Sequence, residues 1–298
     1  FVNLLDFNGN KVEGDNVVNN AEAADGVTFG GSVESGSTVS VTYSDGSGGT
    51  VTKDATVSLS GTWTVTFDGD EIPAGEYEAT VAVTATDAAG NTSQISDTFD
   101  VDTVAPDAPQ IINQTDQGVD GIVGFTMAEP EGSVTVHEVE LDGTAGAEKS
   151  FDKDDIGGGT KDLIEFDTGA GVQDGSHLIV TDEDDAGNTN STLFVLDDQA
   201  TNDFDVADVN TAGFNVGEIE LTLAEDTDLT LSTQDIIDMS DNDSQLVIHG
   251  SSDDSVVLDG TATAAGTETI DGKVYNVHTL DSDDTTLIIA ADIPFSTV

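Results

Sequence analysis

Sixty aspartates and glutamates stand against six lysines and arginines in this 298-residue chain, a formal net charge of -54, and there is no cysteine. Carboxylates at that density repel one another unless something neutralises them. A fold built from this chain must manage an acidic surface, and it cannot do so with disulfide staples. Oxygen-rich loops with closely spaced aspartates suit a hard divalent cation, and calcium takes about six to eight oxygen ligands. The composition therefore reads as an extracellular protein rigidified by Ca2+, with metal in the role that disulfides play in other small secreted domains.

The same charge excludes several partners. Nucleic acid and anionic membrane surfaces both call for a basic patch, which this chain lacks. No stretch approaches the roughly 20 apolar residues of a membrane helix, so no membrane insertion is expected. The chain opens on Phe1 without a signal-peptide pattern and reads as an internal piece of something longer. High charge with 36% hydrophobic residues is also a composition of disordered chains. Against disorder stands the strict periodicity of the apolar residues.

Val39-Ser40-Val41-Thr42-Tyr43, Trp63-Thr64-Val65-Thr66-Phe67 and Tyr77 to Val83 alternate with period two, as half-buried antiparallel strands do. Turn residues separate them at Asp45 to Gly49, Asp68 to Asp70 and Pro73 to Gly75. Similar strand signals return at 121–125, 133–139 and 176–180, with the acidic, glycine-rich stretch 152–159 between them read as a loop. Short strands with frequent turns predict a sandwich. Two segments end alike: Thr86-Asp87-Ala88-Ala89-Gly90-Asn91-Thr92 and Glu183-Asp184-Asp185-Ala186-Gly187-Asn188-Thr189. Each is followed by an apolar strand and acidic residues, so the spacing marks a repeat of one sandwich domain. Pro106 and Pro109 stiffen the segment after the first unit.

From about residue 200 the pattern changes. Strand signals at 218–223, 228–231, 245–249, 256–258, 273–278 and 286–289 surround a predicted short helix at 233–239, with Thr233 as its N-cap. The expected fold is all-β: tandem Ig-like β-sandwich domains at 1–103 and 104–199, the second divergent, then a divergent β-rich C-terminal domain with a short helix at 200–298.

Residues 86–93 followed by Val101-Asp102-Thr103-Val104-Ala105-Pro106 resemble the end of a bacterial Ig-like repeat. Residues 15–22 and 31–39 resemble its beginning. Such repeats occur in giant RTX-type adhesins that Gram-negative bacteria secrete by the type I pathway. The match covers the first unit closely and the second loosely, since Asp197-Asp198 lacks the following proline. The third unit is similar to a β-domain found before the C-terminal repeats of these adhesins, and no glycine-rich nonapeptide repeat is present.

The resemblance implies a long rod of domains at the bacterial cell surface, stiffened by calcium at its junctions and supporting attachment or biofilm formation. Its partners would be the neighbouring domains of the same chain and a host or surface ligand, with the chain itself a monomer. The candidate ligands are Asp87, Asn91, Asp100, Asp102 and Asp107 for the first boundary. Asp184, Asn188, Asp197 and Asp198 form the matching second set. Glu22 and Asp15 could serve a preceding junction. The same Asp-Ala-Ala-Gly-Asn sequence is also a good turn, so a purely structural role stays open.

Other readings are weaker. Asp238, Asp241 and Asp243 begin like a calcium loop but lack the central glycine and terminal glutamate of an EF-hand. Asp253-Asp254 and 281–284 read as hairpin loops. Phe166-Asp167-Thr168-Gly169 occurs once, where aspartic protease chemistry needs two carboxylates sharing a proton. Four scattered histidines without cysteine do not suggest zinc. No enzyme is expected. A ligand-binding module for a glycan or protein is the alternative to the extender, and a high-salt habitat is a third explanation of the acidity.

Overall fold

The computed structural model describes residues 3–6, 11–116, 121–140, 143–167, 169, 171–172, 175–196, 203–224, 226–240, 244–280 and 285–298. It divides into two compact units: residues 1–105 with 185–188, and residues 106–184 with 189–298.

The first unit contains β1 (Asn3–Asp6), β2 (Val17–Val18), α1 (Asn20–Asp25), β3 (Val27–Ser32), β4 (Thr38–Ser44), β5 (Thr50–Asp54), β6 (Thr56–Val57), β7 (Thr62–Phe67), β8 (Glu76–Thr86) and β9 (Thr92–Asp102). They form two sheets, β1-β3-β7-β6 and β2-β9-β8-β4-β5. Alternation decides what lies between them. Val39, Val41 and Tyr43 on β4, with Ala79, Val81 and Val83 on β8, point inward. Phe29, Trp63, Phe67 and Phe99 fill the centre, each at most 2% exposed. The opposite face of β4 and β8 carries Ser40, Thr42, Thr80 and Thr84, as expected for a sheet with one wet side.

The second unit opens with the same sandwich. Its strands are β10 (Ile111–Asp116), β11 (Ile122–Ala128), β12 (Ser133–Val139), β13 (Ala145–Glu148), β14 (Phe151–Ile156), β15 (Lys161–Phe166), β16 (His177–Glu183) and β17 (Thr189–Phe194). Order β10-β11-β15-β14 repeats β1-β3-β7-β6, and β13-β12-β16-β17 repeats β5-β4-β8-β9. The stretch expected as a loop at 152–159 is a strand as far as Ile156. It pairs only with β15, and an edge strand tolerates a polar, charged sequence.

The remainder is a parallel solenoid. It comprises β18 (Asp203–Asp205), β19 (Val216–Glu220), β20 (Asp228–Ser232), α2 (Thr233–Met239), β21 (Gln245–His249), β22 (Ser255–Asp259), β23 (Ala262–Ile270), β24 (Lys273–Leu280), β25 (Thr286–Ala290) and β26 (Phe295–Thr297). Successive strands alternate between two parallel stacks, β17-β19-β21-β25 and β18-β20-β22-β26. The antiparallel hairpin β23–β24 extends the first stack beyond β25. Stacking in register produces an aliphatic column, Leu193-Ile219-Ile248-Ile289, every member at most 1% exposed.

The sandwich and the solenoid share β17, so one nine-stranded sheet runs from β13 to β23 across residue 199. In the first unit the outer edge of β9 is met in parallel by the two-residue β2. In the second unit β19 takes the same edge of β17, also in parallel. β16 and β17 are consequently buried on both faces: Leu178, Val180 and Phe194 face the sandwich core, Ile179 and Leu193 the solenoid core. Gly143 marks how close these parts run. At φ +78° its Cβ position lies 1.7 Å from the Asp208 carbonyl oxygen, which leaves no room for a side chain. Two α-helices occur among the described residues. The cap of α2 is Ser232, whose side chain accepts the Asp235 N–H, and Thr233 is the first helical residue.

Candidate metal centre

The loop between β8 and β9 is a closed Asx turn. Asp87 Oδ1 accepts the N–H groups of Ala89 and Asn91, both at 2.8 Å, and Oδ2 accepts Asn91 Nδ2 at 2.7 Å. Gly90 supplies the positive φ of 89°. The Asn91 side chain and backbone hold the Asp87 carboxyl below the ordinary aspartate range. Asp87 and Asn91 thus meet each other, in the structural role that the turn sequence allows.

Asp100 and Asp102 lie at the other end of β9. Eleven residues of strand at about 3.4 Å each put them on the order of 30 Å from the Asp87 turn. Asp87 and Asn91 therefore do not converge with Asp100 and Asp102, because the two pairs lie at opposite ends of one strand. Asp100 is exposed and sits opposite Glu78. Asp102 Oδ1 accepts the Val104 N–H at 3.1 Å. Asp107 is exposed in the second unit.

Within the first unit, residue 188 reaches the Asp102 end. Asn188, 5% exposed, donates from Nδ2 to the Asp102 carbonyl at 3.1 Å, and its Oδ1 accepts the Asn20 N–H at 2.9 Å. Asn19 Nδ2 donates to the Ala186 carbonyl at 3.1 Å. Asn19 also caps α1 in a reciprocal box with Glu22: the Glu22 N–H donates to Asn19 Oδ1 and the Asn19 N–H to Glu22 Oε2. Glu22, Asp102 and Asn188, drawn from three separate sequence motifs, are thus tied into one hydrogen-bonded locus. Asp184 is partly exposed, and Asp197 and Asp198 lie outside the described residues.

The remaining acidic motifs separate. Asp238 is helical, its Oδ1 accepting Gln234 Nε2 at 2.7 Å, so it does not begin a loop. Asp241, Asp243 and 281–284 lie outside the described residues. Asp254 is 1% exposed and is no solvated hairpin charge. Its oxygens accept the Thr227 and Ser251 N–H groups at 3.1 and 2.6 Å, and burial pushes its carboxyl up.

Among the described residues, one group of three His, Asp or Glu side chains has ligand atoms all within 4.8 Å of one another: Glu129, Asp155 and Asp162. None of the three is among the candidate ligands named from sequence. A signal for Asp162 exists in Asp162-Leu163-Ile164-Glu165-Phe166, where alternation sets an aspartate on the apolar face.

Residues 6–103 match the family described as Bacterial Ig-like domain, over less than half of the chain. No curated protein matches. Among solved structures, a Ca2+-stabilised adhesin of an Antarctic bacterium that binds ice is 23% identical, covering 65% of this chain and 47% of its own, with a TM-score of 0.38. This chain thus spans about half of that one. A structure concerned with host cell surface retention of a 1.5-MDa bacterial ice-binding adhesin is 17% identical, covering 100% and 98% of the two chains, at 0.35. A tetra-tandem repeat from the extending region of a large adhesion protein is 19% identical, covering 63% and 47%, at 0.27.

Proposed function

We propose that this chain is an extender segment of a bacterial surface adhesin, non-enzymatic and extracellular, stiffened by calcium where its repeats meet. The observation that carries the reading is the locus joining Glu22, Asp102 and Asn188. It gathers the opening motif of a repeat, its closing strand and a second copy of the Asp-Ala-Gly-Asn turn in one place. The Bacterial Ig-like match over 6–103 and the recurrence of the same strand order in the second unit support tandem repetition. A net charge of -54 supplies the need for a divalent counter-ion. Asp102 and Glu22 would offer carboxylate oxygens, with Asn188 bracing the backbone between them. Secretion by the type I route, a role in biofilm formation and a monomeric state belong to the same reading.

Small-angle scattering with calcium and with EDTA, at fixed ionic strength, tests it. The reading expects a longer, stiffer particle with calcium and a shift that Asp102→Asn abolishes. A profile indifferent to chelation, or restored equally by sodium chloride, would make the acidity a salt adaptation.

A further inference from the structure

Three lysines of this chain hold carboxylates at close range, and one of the pairs differs from the rest. Lys149 donates to Glu138 Oε2 at 2.7 Å and Lys53 to Asp68 Oδ2 at 3.0 Å, well-formed hydrogen bonds to acids that solvent reaches. Lys153 Nζ stands 2.8 Å from Asp162 Oδ2, but the Asp162 side chain is 2% exposed and that oxygen accepts no hydrogen bond of sound geometry. Strand register explains the contact. Asp162, Ile164 and Phe166 share the inward face of β15, and on the edge strand β14 Lys153 lies opposite Ile164 and Asp155 opposite Asp162. Lys153 and Asp162 are thus diagonal neighbours on one face, a spacing that a long side chain spans. The nitrogen is pressed against a buried carboxyl group without being aligned on it as a donor. Since a C=O bond is about 1.2 Å long, Nζ comes within about 4 Å of Cγ, near the roughly 3–3.5 Å of a near-attack contact.

We propose that Lys153 and Asp162 condense into a side-chain amide, a covalent staple between β14 and β15. The atoms balance from the ion pair itself. The Lys153 ammonium gives one proton to a neighbouring carboxylate, and the freed nitrogen lone pair attacks Cγ of Asp162 to form the C–N bond. One carboxyl oxygen then leaves as water, taking the relayed proton and a second proton from the nitrogen. One ammonium and one carboxylate are consumed together, so the net charge is unchanged and no oxidant, cofactor or activated acid is required. Glu129 and Asp155 are the proton carriers: both are exposed, and each brings an oxygen within 4.8 Å of an Asp162 oxygen. Held in such contact, two groups react as if at an effective concentration of about 10⁵–10⁸ M. Lys153 is 41% exposed along its side chain, which gives the departing water a way out. The product replaces two charges, one of them buried and poorly hydrogen-bonded, by a neutral amide. It also fastens an edge strand that pairs with β15 alone, in a chain with no cysteine. The staple is separate from the Glu22–Asp102–Asn188 locus and does not depend on the adhesin reading.

The intact mass of the full chain under denaturing conditions tests the bond. It should fall below the sequence mass by one water, and protease digestion should yield one branched peptide joining Lys153 to Asp162. Lys153→Arg keeps the positive charge but has no amine to acylate, so it should return to the full sequence mass. Glu129→Gln combined with Asp155→Asn removes both proton carriers from exposed positions and should leave most chains uncross-linked, since general acid–base groups contribute about 10²–10⁴-fold. Circular dichroism confirms that these variants fold. A folded wild-type chain at its full sequence mass overturns the staple. A water loss that persists in Lys153→Arg overturns it as well. So does one that maps to an Asp–Gly pair such as Asp68-Gly69, where a succinimide forms without any lysine.

Discussion

His249 Nε2 lies 3.0 Å from Glu218 Oε2, across the neighbouring strands β21 and β19. The other ring nitrogen, Nδ1, is 2.6 Å from the Tyr275 hydroxyl, whose pKa burial pushes up to about 12. Burial alone would lower the His249 pKa, but the Glu218 hydrogen bond and the charges of Glu218 and Glu220 outweigh it and raise it. A raised folded pKa stabilises the protein fully below the unfolded value of about 6.5, and that contribution is lost as pH climbs through the folded value. Wild type should therefore melt lower at pH 8 than at pH 6 by more than Glu218→Gln does. Parallel melting curves for the two proteins across that interval would refute the linkage.

Asn188→Ala deletes both the donor to the Asp102 carbonyl and the acceptor of the Asn20 N–H. Leaving buried backbone groups unpaired costs about 1–3 kcal/mol. Urea titration of the full chain, read at Trp63, the lone tryptophan, should show the first unit unfolding earlier. Asn188→Asp keeps the acceptor but loses the donor and adds a charge beside Asp102. Its loss should shrink when calcium is added.

Gly143→Ala should be harsher than a typical glycine replacement. The added methyl would meet the Asp208 carbonyl, and a positive φ costs an L residue about 1–2 kcal/mol by itself. A variant that melts like wild type would mean that this close approach can relax freely.

Ile248→Ala opens a gap in the middle of the Leu193-Ile219-Ile248-Ile289 column. Large-to-small changes at buried isoleucine cost about 2–5 kcal/mol. Because β17, the strand that carries Leu193, belongs to both sandwich and solenoid, the second unit should still unfold in one calorimetric transition, at lower temperature. Two resolved transitions would show that the shared sheet does not couple them.

Much of the first unit can be read from sequence because only one face of each strand is buried. Tyr77 to Val83 alternates cleanly, and the structure buries its alternate residues. The solenoid is not legible in the same way. Gln245 to His249 and Thr286 to Ile289 look like strands in either direction, since period two carries no information about parallel pairing. A hint survives in the repeat itself. β8 alternates, whereas its counterpart begins His177-Leu178-Ile179-Val180, a continuous apolar run of the kind that marks a strand covered on both sides. The boundary candidates were legible as residue types but not as a set, because β9 carries Asp87 and Asp102 to opposite ends. Asn188 and Glu22, from distant motifs, turned out to be joined through Asn19 and Asn20.

Parallel pairing of β17 with β19 has a mechanical consequence. Tension passing from the sandwich into the solenoid has two routes, the covalent chain and the hydrogen-bond ladder from Ser191 to Phe194 opposite Val216 to Glu220. A flexible tether would let the two parts swivel and would extend first under load. Here the ladder joins β17 directly to β19, so a load that parts the sandwich from the solenoid must break a sheet.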